Sequence, residues 1–173
     1  NRERVERFLE GIPAHVIVVA AAKGRTPVQI MEVIEGGITV IGENYLQEAE
    51  SAFQELDRKA HWHFIGHLQR NKVKRAVPIF DMIQTVDSFR LAAEIDRRCE
   101  SLEKRMPVLV EVNSGREPQK SGVLPEEVRS LVEGMTELPW LVPSGLMTMG
   151  PRFGDPEEAR PYFQETRRLF EGL

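Results

Sequence analysis

Six apolar segments recur along this chain at nearly regular intervals, and a polar or glycine-containing stretch follows each of them. The segments begin at Val16, Ile38, His61, Met82, Pro107 and Leu141, about 20 to 35 residues apart. Helical patterns separate most of them, and strands that alternate with helices form parallel sheets through right-handed crossovers. The chain is therefore predicted to be an α/β protein, either an open doubly wound sheet or a closed (β/α)8 barrel of the TIM type.

The positions of the polar residues distinguish these two architectures. They follow the carboxyl end of every predicted strand, at residues 23, 43–45, 67–72, 87–88, 113–115 and 147–150. A barrel brings all of its strand ends to one shared rim, whereas an open sheet binds ligands near one switch point, so the pattern favours the barrel. A closed barrel has eight strands and typically about 250 residues. Since this chain has six apolar segments, we expect it to contain only six of the eight strand–helix units.

Caps and apolar spacing predict the individual elements. The strands are expected at 16–22, 38–42, 61–66, 82–86, 107–112 and 141–149, and the helices at 2–10, 27–35, 45–59, 89–102, from 125 and from 155. The first strand is continuously apolar, which predicts burial on both faces. Glu43 and Asn44 precede a predicted helix, so each is a candidate both for capping it and for ligand contact.

Lys23 ends the first apolar segment, at the point where a buried strand meets the rim. Gly24 permits close approach of a ligand or an unusual turn, and Thr26-Pro27 has the pattern of an N-cap followed by proline at the first helical position. A lysine amine in such a place can attack an aldehyde. On this stretch alone, an ordinary lysine that reaches solvent from a strand end is the favoured alternative.

Composition excludes several other classes of protein. The net charge is −4 and the basic residues are dispersed among acidic ones, which argues against nucleic-acid binding. Four histidines and one cysteine show no metal-ligand spacing, and Cys99 lies in a predicted amphipathic helix where burial is expected. No apolar run approaches the roughly 18 residues of a membrane span, and the charged N-terminal segment is unlike a secretory signal. We expect a cytoplasmic protein with no metal and no membrane contact.

Six stretches of the chain carry a specific resemblance. They are VVAAAKGRTP around Lys23, IGENYLQE from Ile41, HWHFIGHLQRNKVK from His61, QTVDS from Gln84, VEVNSGREPQKSG from Val110 and GLMTMG from Gly145. Together they cover nearly the whole chain. They identify it as a member of the pyridoxal phosphate homeostasis protein family, whose barrel is similar to the N-terminal domain of alanine racemases. The resemblance implies a single cofactor-binding barrel domain over residues 1–173.

The resemblance also implies a cofactor and a site. Lys23 would carry pyridoxal 5′-phosphate as an aldimine, and Asn44, Tyr45, His67 and Met147 would belong to the cofactor-binding rim. The protein would carry or buffer the cofactor in the cell without catalysing a reaction, and when complete it would be a monomer. Family members continue into two more strands, with Ser-x-Gly-Met-Ser and Arg-Ile-Gly stretches that hold the phosphate and meet the pyridine nitrogen. Neither stretch occurs here, so we expect this chain alone to bind the cofactor weakly.

A racemase-like enzyme dependent on pyridoxal phosphate is the alternative function. Racemisation needs acid–base groups on opposite faces of the cofactor, and racemases take one of theirs, a tyrosine, from a second domain. The only tyrosines here are Tyr45 and Tyr162, and only Tyr45 follows a predicted strand. Carriage is therefore favoured, and a Schiff-base lyase that uses Lys23 directly is a third alternative.

Overall fold

A computed structural model describes residues 2–151 and 155–173 as one parallel sheet with helices. The strands, in sheet order, are β1 (Val19–Ala21), β2 (Val40–Glu43), β3 (His61–Phe64), β4 (Met82–Val86), β5 (Met106–Val112) and β6 (Leu141–Thr148). The α-helices are α1 (Arg2–Glu10), α2 (Pro27–Glu35), α3 (Leu46–Leu56), α4 (Val73–Ala76), α5 (Phe89–Glu100), α6 (Val128–Thr136) and α7 (Arg160–Glu171). Short 3₁₀ segments cover Asp57–Lys59, Arg70–Lys72, Pro125–Glu127 and Pro156–Ala159. None of the helices in these ranges has the length and apolar character that crossing a bilayer requires.

Some of the helices have an N-cap side chain that accepts a backbone hydrogen bond, but α3 does not. Thr26 accepts a hydrogen bond from the Gln29 N–H, and the Gln29 side chain accepts one from the Thr26 N–H, which makes a capping box at α2. The N-cap of α3 is Tyr45, and its side chain makes no capping bond. The predicted capping by Glu43 or Asn44 is therefore wrong, because β2 extends through Glu43 and both residues precede the cap position.

The main core lies between the sheet and its helices. Alternate residues of β5 are fully buried on this side: Met106, Val108, Val110 and Val112. Trp62 of β3 is also buried here and packs edge-to-face on Phe53 of α3, with ring centroids 5.8 Å apart. The opposite face of β5 carries Pro107, Leu109 and Glu111, which are partly buried.

The prediction for the first strand is wrong in length and in burial. β1 has three residues and pairs with β2 alone among the described strands. Val16 and Ile17, predicted to lie inside it, precede it and are 46% and 73% exposed. An apolar run is buried on both faces only where neighbouring elements cover both faces, and β1 lies at the edge of the described sheet. The helix predicted over 45–59 also changes at Asp57, whose positive φ of 48° separates α3 from the 3₁₀ segment after it.

Candidate functional site

Lys23 lies just beyond β1, at the carboxyl end of the sheet, and its side chain is exposed. The Ala22 N–H donates to the Gly42 carbonyl at 2.9 Å, so the backbone keeps its pairing with β2 up to the residue before Lys23. The Nζ atom lies 5.0 Å from the centroid of the Tyr45 ring, within the range in which an aromatic face attracts a cation. The amine is thus in contact with the start of α3 and still open to solvent.

A tight turn follows Lys23. The Arg25 N–H donates to the Ala22 carbonyl at 2.8 Å, and Gly24 has a φ of 68°, as the third residue of a type II turn requires. A Cβ at Gly24 would meet no atom within 4 Å, so the conformation and not the space requires glycine. The Gly24 N–H donates to Oε2 of Glu48 at 2.8 Å, which fastens the turn to α3.

The ends of β2, β3 and β4 are in close contact. A Cβ at Gly66 would lie 2.1 Å from the Asn44 carbonyl oxygen, so only glycine fits at that position. The Gly66 carbonyl in turn accepts the Thr85 hydroxyl at 2.5 Å. The backbone of Asn44 is therefore packed against the chain after β3, which is in turn hydrogen-bonded to β4.

Three of the predicted cofactor-binding residues line one cavity at this rim. Asn44, Tyr45 and His67 surround a volume of about 390 Å³, to which Lys72 adds a cationic group. Lys23 adjoins the cavity through the ring of Tyr45. The structure therefore brings together four of the five residues that the sequence predicted for cofactor binding.

His67 also connects this cavity to the loops after β4 and β5. Its Nδ1 lies 3.1 Å from the Ser121 hydroxyl and 3.6 Å from Oδ2 of Asp87. Neither Ser121 nor Asp87 was among the predicted site residues, although Asp87 follows a strand end directly.

Met147, the fifth predicted residue, lies in β6, the outer strand at the other edge of the sheet from β1. It is partly buried and pairs in register with Glu111 of β5. Its part in cofactor binding stays a prediction.

Two buried carboxyl groups lie near the carboxyl end of the sheet. Glu43 is 1% exposed, and burial, followed by the nearby charge of Glu48, raises its pKa to about 7. Burial, followed by the charge of Asp87, likewise raises the pKa of Glu111 to about 7. An Oε2 atom of each has no hydrogen-bond partner among the described residues. Both carboxyl groups therefore change their protonation state near neutral pH.

Two carboxylates near the candidate site, Glu111 and Glu48, were not predicted, although sequence patterns indicated where each side chain lies. In β5 the alternation places Glu111 on the face opposite Val110 and Val112, away from the helices. Glu48 follows Tyr45 by three residues, the spacing that puts two side chains on one helix face. Neither pattern could indicate what the carboxylate contacts.

A larger cavity, of about 870 Å³, opens at the opposite, amino-terminal end of the sheet. Three of its charged side chains are already bonded: Arg58 donates to Asp81 at 2.8 Å, and Lys104 donates to two backbone carbonyls at 2.7 Å. We therefore place the candidate site at the carboxyl end in spite of the smaller volume there. In residues 2–151 and 155–173 no cluster of three histidine, cysteine or carboxylate side chains is placed to hold a metal ion.

Sequence comparisons agree on one family. The model of the family described as alanine racemase, N-terminal domain, matches residues 1–173. The pyridoxal phosphate homeostasis protein of Aquifex aeolicus is 40% identical over 157 residues, which cover 90% of this chain and 69% of that protein. The protein of the same name from Vibrio alginolyticus is 34% identical over 166 residues, 93% of this chain and 71% of its own length.

Solved structures show the same fold. PipY of Synechococcus elongatus, solved with PLP bound, matches with a TM-score of 0.91 at 29% identity and covers 99% of this chain and 80% of PipY. Alanine racemase of Clostridium difficile matches with a TM-score of 0.78 at 15% identity, over 99% of this chain and 46% of the racemase, which supports the fold alone. The predicted fold class is confirmed. The chain therefore belongs to the alanine racemase N-terminal domain family and, within it, to the pyridoxal phosphate homeostasis proteins.

Proposed function

We propose that this protein binds pyridoxal 5′-phosphate covalently through the ε-amino group of Lys23 and serves in the homeostasis of that cofactor. The exposed amine at the carboxyl end of the sheet, against the Tyr45 ring, carries the proposal. The relationship to PipY, solved with PLP bound, supports it. The cofactor supplies an aldehyde carbon, the electrophile that a primary amine attacks with loss of water.

The residues around Lys23 fit such a ligand. The space beside Gly24 is open, and the adjoining cavity of about 390 Å³ lies in the usual range for small-molecule sites. Tyr45 offers an aromatic face on one side of the amine, and His67 and Lys72 offer polar groups for an anionic ligand. These side chains would bind and orient the cofactor while Lys23 holds it.

We propose carriage in preference to racemisation. Tyr45 lies on the Lys23 side of the rim, whereas Tyr162 lies in α7, which packs against β6 at the other edge of the sheet. Of the two tyrosines, only Tyr45 lies near Lys23, and it lies against the amine itself. This arrangement supports a protein that lacks the second acid–base group that racemisation needs. Incubation of the protein with L-alanine in deuterated water tests for racemase activity. Exchange of the α-proton at about 1 per second or faster would support a racemase-like enzyme instead.

We further propose that residues 1–173 form a single cofactor-binding domain, that the complete protein is cytoplasmic and monomeric, and that it binds no nucleic acid. The net charge of −4 and the dispersed basic residues support the last point. Light scattering of the full-length protein measures its oligomeric state, and a dimeric mass would contradict the proposal.

A titration with pyridoxal phosphate tests the covalent link. The full-length protein should gain a visible absorption band that survives dialysis, and Lys23→Ala should not. Lys59→Ala, which removes an exposed lysine at the other end of the sheet, is the matched control and should keep the band. A band of equal size in Lys23→Ala would contradict the proposal.

A further inference from the structure

One carboxylate outside the predicted site contacts the turn that follows Lys23. Glu48 lies in the first turn of α3, and its Oε2 accepts the Gly24 N–H at 2.8 Å. The N-cap residue of the same helix, Tyr45, places its ring 5.0 Å from Nζ of Lys23. The start of α3 therefore contacts this region twice, once at the lysine side chain and once at the peptide that follows it.

The Gly24 N–H belongs to the central peptide of the turn, the one that links Lys23 to Gly24. Type I and type II turns differ by a flip of this peptide, and their third residue has a φ near −90° in the first and near +80° in the second. The φ of 68° at Gly24 matches type II. In this orientation the peptide presents its N–H to Glu48, whereas a flip would turn the Lys23 carbonyl oxygen toward the carboxylate, which is repulsive.

The orientation of this peptide sets the backbone angle ψ of Lys23. The rotamers that a side chain favours depend on φ and ψ, so a hydrogen bond that selects one peptide orientation also favours some rotamers of the lysine side chain over others. The bond has a charged acceptor, and charge-assisted hydrogen bonds are stronger than neutral ones. Glu48 is thus placed to hold the lysine in one of the two conformations that the turn allows.

We propose that Glu48 is a positioning residue for Lys23: it holds the turn after the lysine in the type II conformation and so keeps the amine where the ligand meets it. The inference rests on the proposed function, because it concerns how Lys23 is presented to pyridoxal phosphate. It assigns Glu48 no contact with the ligand.

Glu48 also has a simpler effect, which the test must separate from this one. A negative charge in the first turn of a helix stabilises the helix, so the loss of Glu48 would loosen α3 whatever happens at Gly24. Glu48→Gln removes the charge but keeps a carbonyl oxygen that can accept the Gly24 N–H. Glu48→Ala removes both. Glu55→Gln changes an exposed carboxylate near the other end of α3 and is the matched control.

Two measurements on the full-length protein test the inference. Amide hydrogen exchange followed by NMR reports on the Gly24 N–H, and the visible-band titration reports the affinity for pyridoxal phosphate. In Glu48→Ala the Gly24 amide should exchange about threefold to tenfold faster and the affinity should fall by a similar factor. Glu48→Gln should lie closer to wild type than Glu48→Ala in both measurements, and Glu55→Gln should match wild type.

Each contrary result has a distinct meaning. Equal exchange of the Gly24 amide in wild type and Glu48→Ala would show that Glu48 does not hold the turn. Faster exchange with unchanged affinity would show that the turn does not position Lys23 for the ligand. Equal losses in Glu48→Gln and Glu48→Ala would assign the effect to the charge in α3. If wild type forms no adduct at Lys23, the proposed function fails, and the positioning role fails with it.

Discussion

The two ends of the sheet differ in how their charged groups are hydrogen-bonded. At the amino-terminal end, Arg58 donates to Asp81 at 2.8 Å and Lys104 donates to two backbone carbonyls at 2.7 Å. At the carboxyl end, Glu43 and Glu111 each bury a carboxyl oxygen that has no hydrogen-bond partner among the described residues. The three charged groups named at the amino-terminal end are hydrogen-bonded, whereas the two named at the carboxyl end each keep an unbonded oxygen.

This difference between the two ends suggests that the amino-terminal end contributes to stability and the carboxyl end to ligand binding. A buried polar group without a partner destabilises the fold, whereas a paired one contributes to it. Parallel barrels keep their chemistry at the carboxyl end of the strands, and residues at the amino-terminal end act on stability. Substitutions at the amino-terminal end should therefore lower stability and leave cofactor binding intact, and removal of the unsatisfied groups at the carboxyl end should raise stability.

Glu43→Gln should produce the largest change in stability. Burial raises the pKa of Glu43 from its ordinary 4.5 to about 7 in the folded protein, so folding holds the proton more tightly than the unfolded chain does. This stabilisation is complete below pH 4.5 and is lost as the pH rises to about 7. The unfolding free energy of Glu43→Gln minus that of wild type should therefore rise by about 3 kcal/mol from pH 4.5 to about pH 7 and stay constant at higher pH.

Urea unfolding of both proteins at a series of pH values measures this difference. Glu55→Gln, an exposed carboxylate in the neighbouring helix, should show no such gain. A difference between Glu43→Gln and wild type that is the same at pH 4.5 and at pH 8 would mean that Glu43 ionises normally in the folded protein.

Asp81→Ala should have the next largest effect, at the other end of the sheet. Asp81 accepts hydrogen bonds from Arg58 and from the Trp62 N–H, both at 2.8 Å, so the variant leaves a backbone donor beside a buried ring unsatisfied. We expect a loss of about 2 kcal/mol in the unfolding free energy and an unchanged affinity for pyridoxal phosphate. His61→Ala, whose side chain is 73% exposed, is the control and should change neither. A weaker affinity in Asp81→Ala at a temperature where it is fully folded would break the separation between the two ends.

Gly24→Ala should have the smallest effect on stability. Its positive φ costs an alanine about 1 kcal/mol, and no neighbouring atom adds a clash. Because the strain favours the flipped turn, the affinity for pyridoxal phosphate should also fall, as in Glu48→Ala. Gly11→Ala, at a glycine without positive φ, is the control. An unchanged affinity in Gly24→Ala would mean that the turn conformation does not affect Lys23.

Local patterns in the sequence were sufficient to locate most strands and helices along the chain and the polar residues that follow the strands, because each of these depends on a short stretch of chain. They misjudged Val16 and Ile17, because hydrophobicity does not show whether a second element covers a strand. The bond from Gly24 to Glu48 and the approach of Asn44 to Gly66 join residues far apart in the chain. Such contacts depend on how strands and helices pack, which no spacing within one segment can give.

The central proposal is that Lys23 carries the cofactor, and site mapping tests it directly. The full-length protein is loaded with pyridoxal phosphate, reduced with borohydride, digested and analysed by mass spectrometry. We predict that the label is on Lys23 alone. Labelling of Lys72, which lines the cavity beside Lys23, or of Lys120, which contacts the Gly150 carbonyl, in place of Lys23 would contradict this assignment.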